Sequence, residues 1–244
     1  MTPATRAEVC VAACADAWRG DGEVLAAAMG VCSVLGARLA RLTFAPDLLT
    51  TDGGALLTRE ALPWGASPGQ GGVEGWLPFG DHLWLVLHGR RHVMMGASQI
   101  DRRGRSNISC IGPWRRPTTQ LLGVRGAPGN TIAGPTSYWI PRHGRRVFVP
   151  EVDMVSGVAA ADAFDLRRVV TDLAVLDFAG PGSTLRLVSV HPGATEEQVR
   201  DRTGFDLATP EGGVGRTRTP GDEELRLLRE VLDPAGARDR EVPP

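Results

Sequence analysis

The strongest constraint on the fold is an alternation of hydrophobic periods at the start of the chain. Residues 6–19 place Val9, Ala12, Ala13, Ala17 and Trp18 at helical spacing and close at Gly20 and Gly22. Residues 23–28 read as a strand entering a turn at Gly30. Residues 31–42 read as a second helix, with Leu35, Leu39 and Leu42 on one stripe. Residues 48–51 form a short uncharged run of the kind a covered parallel strand shows. Helix, strand, helix, strand predicts an α/β protein: an open, mainly parallel sheet flanked by helices. The 244 residues show no internal repeat and no composition break, so one domain spanning 1–244 is expected.

Further strands are expected at 83–87, 93–98, 121–124, 147–155 (interrupted by Pro150), 169–178 (one strand or a pair) and 185–190. Thr195-Glu196-Glu197-Gln198 has the residues of a capping box and opens a short helix to residue 202. Pro220-Gly221-Asp222-Glu223-Glu224 opens a terminal helix, acidic at its start and stopped at Asp233-Pro234. Glycine and proline dominate residues 63–80, which predicts a long irregular loop. Its Trp64, Trp76 and Phe79 would pack it against a partner chain or down as a covering lid, with a wandering surface loop as the alternative.

Several function classes are disfavoured. The net charge is −1, which gives no reason to expect nucleic acid or a membrane surface as partner. No apolar run reaches the ~18 residues of a spanning helix, and a cytoplasmic protein is expected. Cys10, Cys14, Cys32 and Cys110 lack metal-site spacing and read as reduced thiols, with Cys10 and Cys14 on one helix face. All 27 basic residues other than histidine are arginines, so the chain can supply neither a Schiff-base lysine nor a Walker loop. There is no G-x-S-x-G or H-E-x-x-H. His82, His88, His92, His143 and His191 lie scattered beside Gly, Arg or Pro, where hydrogen-bonded or exposed loop histidines are expected.

Two small-residue strand exits remain. Thr51-Asp52-Gly53-Gly54 follows the 48–51 run, and Arg125-Gly126-Ala127-Pro128-Gly129-Asn130 follows the 121–124 run. Strand ends are a favoured ligand position in open α/β sheets, and two exits on one edge would frame a backbone-lined pocket. A bland strand-exit turn remains the alternative at Asp52-Gly53-Gly54. A pocket without a base of its own is expected to borrow one across a subunit interface.

Gly96-Ala97-Ser98-Gln99-Ile100-Asp101 with Gly104, His191-Pro192-Gly193 with Thr203-Gly204-Phe205, and Phe44-Ala45-Pro46-Asp47 resemble, in order, motifs of the beta subunits of family I coenzyme A transferases. The resemblance implies the NagB/RpiA/CoA-transferase-like fold. It departs at the first exit: with Gly53 on the motif glycine, Thr51 stands where the family's nucleophilic glutamate belongs. A threonine cannot form the acyl anhydride and glutamyl thioester, so transferase chemistry is not expected.

A narrower resemblance, to beta subunits of the steroid ring-cleaving hydrolases of cholesterol-degrading bacteria, accounts for the departure. It rests on Arg6-Ala7-Glu8-Val9-Cys10, the run from Gly36 to Asp47, Glu74-Gly75-Trp76 with Pro78-Phe79-Gly80, Gly123-Val124-Arg125-Gly126 with Pro128-Gly129-Asn130-Thr131, and Thr136-Ser137-Tyr138-Trp139. It implies an alpha–beta heteromer, as α2β2, that opens the last steroid ring held as a CoA thioester, with a glutamate of the alpha subunit as base. Coenzyme A comes as part of the substrate, with no metal and no resident cofactor. Arg125 is then the expected clamp on substrate and developing oxyanion. Thr51 marks the vacated nucleophile position, and Asp52, Gly53, Gly54, Gln99, Gly126, Ala127, Gly129 and Asn130 are the expected substrate-lining residues. A family I transferase whose carboxylate comes from elsewhere, and a purely structural subunit, are the alternatives.

Overall fold

The computed structural model describes residues 2–69 and 71–243. In chain order the elements are α1 (Arg6–Asp16), β1 (Leu25–Ala28), α2 (Val31–Thr43), β2 (Thr50–Thr51), β3 (Leu56–Thr58), β4 (Val73–Trp76), α3 (Phe79–His88) and β5 (Arg91–Met95). Two ribbons follow, β6 (Gln99–Ile100) with β7 (Ser106–Asn107) and β8 (Cys110–Ile111) with β9 (Thr119–Gln120). The chain continues through α4 (Ala127–Ala133), β10 (Pro135–Ile140), β11 (Asp165–Thr171), β12 (Ala174–Gly180), β13 (Thr184–Val190), α5 (Glu196–Asp201) and β14 (Gly215–Arg216). It closes with α6 (Asp222–Arg226), a π-helical turn at Leu227–Leu232, and α7 (Ala237–Glu241).

The central sheet runs β1-β5-β10-β11-β12-β13-β14. Its first four strands are mutually parallel, β11-β12-β13 form an antiparallel meander, and β14 is parallel to β13. Strand residues alternate between faces, and the core divides accordingly. Ala26, Met94, Trp139 and Val170 join α1, α2 and the π turn in one apolar cluster. Val93, Met95, Tyr138, Ile140 and Val169 join Ile100, Phe148 and the meander in the other. Cys10, Cys14 and Cys32 are buried in the first cluster, and burial pushes their thiols well up, leaving them protonated and inert.

The two ends of the chain are tied by charge. Thr5 and Glu8 form a capping box on α1, and Arg229 and Arg238 reach the fully buried Glu8 carboxylate at 2.7 and 3.1 Å. Burial works to raise this carboxyl, but the hydrogen bond from Arg229 and the neighbouring charges hold it below its ordinary value.

Several expected elements differ. Residues 83–87 lie in α3, not in a strand: a short apolar run fits either period, and Pro78 with Asp81 in the first turn supplies the helix start. Residues 121–124 form no strand, because Gly123 and Arg125 adopt φ of +85° and +44°, outside the extended region. In 147–155 only Phe148 pairs with a strand, through a single bridge to Ile100. The 48–51 run is not a covered strand either. Leu49 bridges Leu25 in parallel, then Thr50 and Thr51 turn away into a small antiparallel sheet with β3 and β4. The 63–80 segment is irregular only as far as β4, and Gln70 within it lies outside the described residues.

Candidate active site

A cavity of about 220 Å³ opens between β1, α2, β2 and α3. Thr51, Gly53 and Gly54 line it, as expected, together with Ala26, Met29, Val34, Ala37, His82, Leu85 and two arginines, Arg38 and Arg91, that sequence reasoning had not placed there. Asp52 shapes the turn: its Oδ1 accepts from the N–H groups of Gly54 and Leu56 at 2.9 and 3.1 Å. The Gly53 N–H donates to Thr51 Oγ1, and the Asp52 N–H to the Leu56 carbonyl. All three N–H groups of the turn are therefore spent internally and are not free to hold an oxyanion. Gly53 sits at φ +92°, a left-handed value that favours glycine there.

The second exit is not a strand end but the start of α4. Gly126 is its N-cap, the Ala127 N–H donates to Val124 O and the Asn130 N–H to Gly126 O. A side chain at Gly129 would collide with Val86, so α4 lies hard against α3. Gly126, Ala127 and Gly129 do not line the cavity, and Asn130 joins it through one contact: its Oδ1 accepts from Arg91 Nη2. Arg125 is exposed, stands outside the lining of this cavity, holds φ +44°, and forms no hydrogen bond or ion pair among the described residues.

Gln99 lies elsewhere. Its amide joins Asn107 and Asp153, donating to Asp153 Oδ2 at 2.9 Å and accepting from Asn107 Nδ2 at 2.7 Å. Asp101 in the same motif caps the turn by accepting from Arg103 N, Arg105 N and Arg105 Nε. The His191…Thr203 signature is likewise internal. His191 Nε2–H donates to the Thr171 carbonyl, and Thr203 meets His143 Nε2 at 3.0 Å. Burial pushes His143 down to about 3 and His191 down to about 4, so both are neutral. These motifs lock strands and loops.

One constellation mimics a nucleophile relay. Ser137 Oγ lies 2.9 Å from His92 Nε2, and His92 Nδ1 lies 2.7 Å from Asp21 Oδ2. Ser137 and His92 are wholly buried, with His92 against Trp18, so no substrate carbonyl can reach the hydroxyl. The three residues pin β5 to β10 and to the loop before β1. Histidines 82, 88 and 92, expected in loops, stand on α3 and β5.

The helix α3, which supplies His82 and Leu85 to the cavity, carries exposed apolar surface. No residue of α3 is buried, and Phe79 is 81% exposed, Trp84 65% and the preceding Trp76 68%. Among the described residues no helix is long and apolar enough to cross a membrane, and no acidic, cysteine or histidine cluster is spaced for a metal ion.

No protein-family model matches the chain. Curated proteins do. The chain is 30% identical over 217 residues to a subunit of the 3-oxoadipate CoA-transferase of Pseudomonas knackmussii, covering 79% of this chain and 80% of that one. The sheet order, the glycine turn beside the cavity and this likeness define the class: a CoA-transferase-like subunit. The chain is 52% identical over 252 residues to the cholesterol ring-cleaving hydrolase IpdB subunit of Rhodococcus jostii RHA1, covering 99% of this chain and 98% of that one. The crystal structure of Rhodococcus jostii RHA1 IpdAB contains a chain that superposes with a TM-score of 0.93 at 52% identity over 99% of both chains. The chain belongs to the family of cholesterol ring-cleaving hydrolase IpdB subunits.

Proposed function

We propose that this chain is the beta subunit of a heteromeric hydrolase that opens a carbocyclic ring presented as a cyclic β-keto enoyl-CoA thioester in steroid breakdown. The observation that carries this is the cavity-side turn, which keeps the transferase position but holds Thr51, whose hydroxyl accepts from Gly53 N–H and offers no carboxylate. Hydroxide adds to the ring ketone. The bond from that carbon to the thioester α-carbon breaks, its electron pair is held as the thioester enolate, and a proton then returns to the α-carbon. The new carboxylate takes one oxygen from water, and coenzyme A stays on its thioester.

Such a reaction needs a base for water; among the described residues the cavity lining holds no carboxylate, and His82 is its one imidazole. We assign the base to a glutamate of an alpha subunit seated on the apolar α3 face, in an α2β2 assembly; burying Trp76, Phe79 and Trp84 there would drive association. Arg125, unpaired and strained, clamps the developing oxyanion. The enzyme acts in the cytoplasm, where CoA thioesters are made.

The direct test mixes purified alpha and beta chains with a 6-oxocyclohexene-carboxyl-CoA ester. Ring-opened acyl-CoA is expected only when both chains are present. Acyl transfer onto an added carboxylic acid, with a hydroxylamine-trappable glutamyl thioester, would instead establish the transferase reading.

A further inference from the structure

The β1–α2 turn forms one wall of the cavity. Met29 lines it from the turn, and Val34, Ala37 and Arg38 line it from the first half of α2. The helix begins at Gly30, which holds φ +105° and has no side chain with which to cap it. The first N–H groups of a helix have no partner within it, and that end frays unless something accepts from them. Here the acceptor comes from the end of α7. Glu241 Oε1 accepts from Val31 N–H at 3.0 Å and Oε2 from Cys32 N–H at 2.7 Å, across 210 and 209 residues of sequence. The same Oε2 accepts from Trp139 Nε1–H at 3.1 Å, and Trp139 is buried in β10. One carboxylate thus joins α2, α7 and the central sheet.

The place is shaped for that carboxylate. A Cβ on Gly30 would meet Trp139 Cδ1 at 2.9 Å and Glu241 Oε1 at 3.0 Å, so glycine leaves the head of the helix open to it. The negative charge there meets the positive end of the α2 dipole. Glu8 and Asp233 nearby are paired with arginines, whereas Glu241 meets no basic side chain among the described residues and spends its charge on the helix and the indole. Its backbone is held from both sides, by the Arg238 ion pairs and by Val242 in the first apolar cluster.

We propose that Glu241 is a positioning residue for ring opening: it fixes the first turn of α2, and with it the Met29 and Val34 wall against which the acyl group of the thioester packs. This deepens the ring-cleaving reading and rests on it. Glu241 acts through the wall and not on the ring, so its loss weakens binding of the thioester and leaves the chemical step intact.

The assembled complex is assayed with the 6-oxocyclohexene-carboxyl-CoA ester, reading ring-opened product. Glu241→Ala is expected to raise KM about 10-fold and to change kcat by less than about twofold, the scale of one lost helix cap felt in binding. Sodium acetate supplies the atoms that substitution removes, and at about 0.1 M it is expected to bring KM to within about threefold of the native value. Sodium chloride at the same ionic strength is expected to leave KM raised. Native KM in Glu241→Ala overturns the proposal whatever the unfolding temperature, because a carboxylate that serves only the fold changes stability alone. A loss carried by kcat overturns it, as does a raised KM that acetate leaves unmoved. If Glu241→Ala fails to assemble, Glu241→Gln decides: it keeps one acceptor without the charge, so a KM raised about threefold supports the proposal and a native KM overturns it. If the native complex opens no ring, the ring-cleaving reading fails, and calorimetric binding of the same thioester to native and variant complexes, with and without acetate, still decides the role of Glu241.

Discussion

Replacing Arg125 with glycine is expected to stabilise the assembled protein while lowering ring opening by on the order of 100-fold, the usual cost of losing one oxyanion donor. The two effects have separate causes. Arg125 holds φ +44°, a left-handed conformation that costs a residue with a side chain about 1 kcal/mol and costs glycine little. Its guanidinium makes no bond within the chain that the substitution would break. Thermal unfolding of the complex therefore moves up by about 2–4 °C. An Arg125 that served only the fold would lose stability on removal and leave turnover alone. Arg125→Lys separates charge from shape: it keeps the strain and the charge but loses the planar fork, so turnover falls less than in the glycine variant.

Acidification from pH 7 to pH 5 is expected to remove about 4 kcal/mol of stability through two histidines. Desolvation, with Arg202 adding to it, pushes His143 down to about 3. Desolvation pushes His191 down to about 4, against the hydrogen bond to Thr171 and with Arg6 adding to the depression. A histidine depressed in the folded state stays neutral while its unfolded counterpart binds a proton near pH 6.5. The contribution is thus complete above that value and is lost as the pH falls toward 4 and below. Each residue supplies about 2 kcal/mol over the stated interval. Urea titrations of the complex at the two pH values read the slope, and His191→Gln, which keeps a donor for Thr171, is expected to remove about half of it. The acid-side loss from Glu8, Asp16, Asp21 and Glu224, all held below their ordinary values, comes in at lower pH.

What the sequence disclosed follows from where the signal is local. The α1 and α2 periods, the β11–β13 strands and the capping box at Thr195 were legible because each repeats or pairs within a few residues. The α3 run was not, because Leu83-Trp84-Leu85-Val86-Leu87 is apolar all round and its period is silent; such a face needs a second surface to explain it. The glycine turn was found, but its spent N–H groups could not be, since they depend on the side-chain orientations of Thr51 and Asp52. Gln99 was placed at the substrate by motif alone, and its geometry ties it to Asn107 and Asp153. Arg38 did leave a trace: a charged residue inside the Leu35–Leu39–Leu42 stripe of a buried helix is a mismatch that asks for a partner. Arg91 left none, because its role arises only where β5 passes beside α3 and α4.

If the Thr51 turn, which holds no carboxylate in the transferase position, serves a cleavage of carbon from carbon by water, the oxygen of that water enters the product. Ring opening by the assembled complex in water enriched in oxygen-18, followed by mass spectrometry of the acyl-CoA product, tests it most directly. The expected product carries one heavy oxygen in the newly formed carboxylate and an intact thioester, with no exchange of coenzyme A onto added carboxylic acids. An unlabelled carboxylate, or coenzyme A carried onto an acid acceptor, would contradict it.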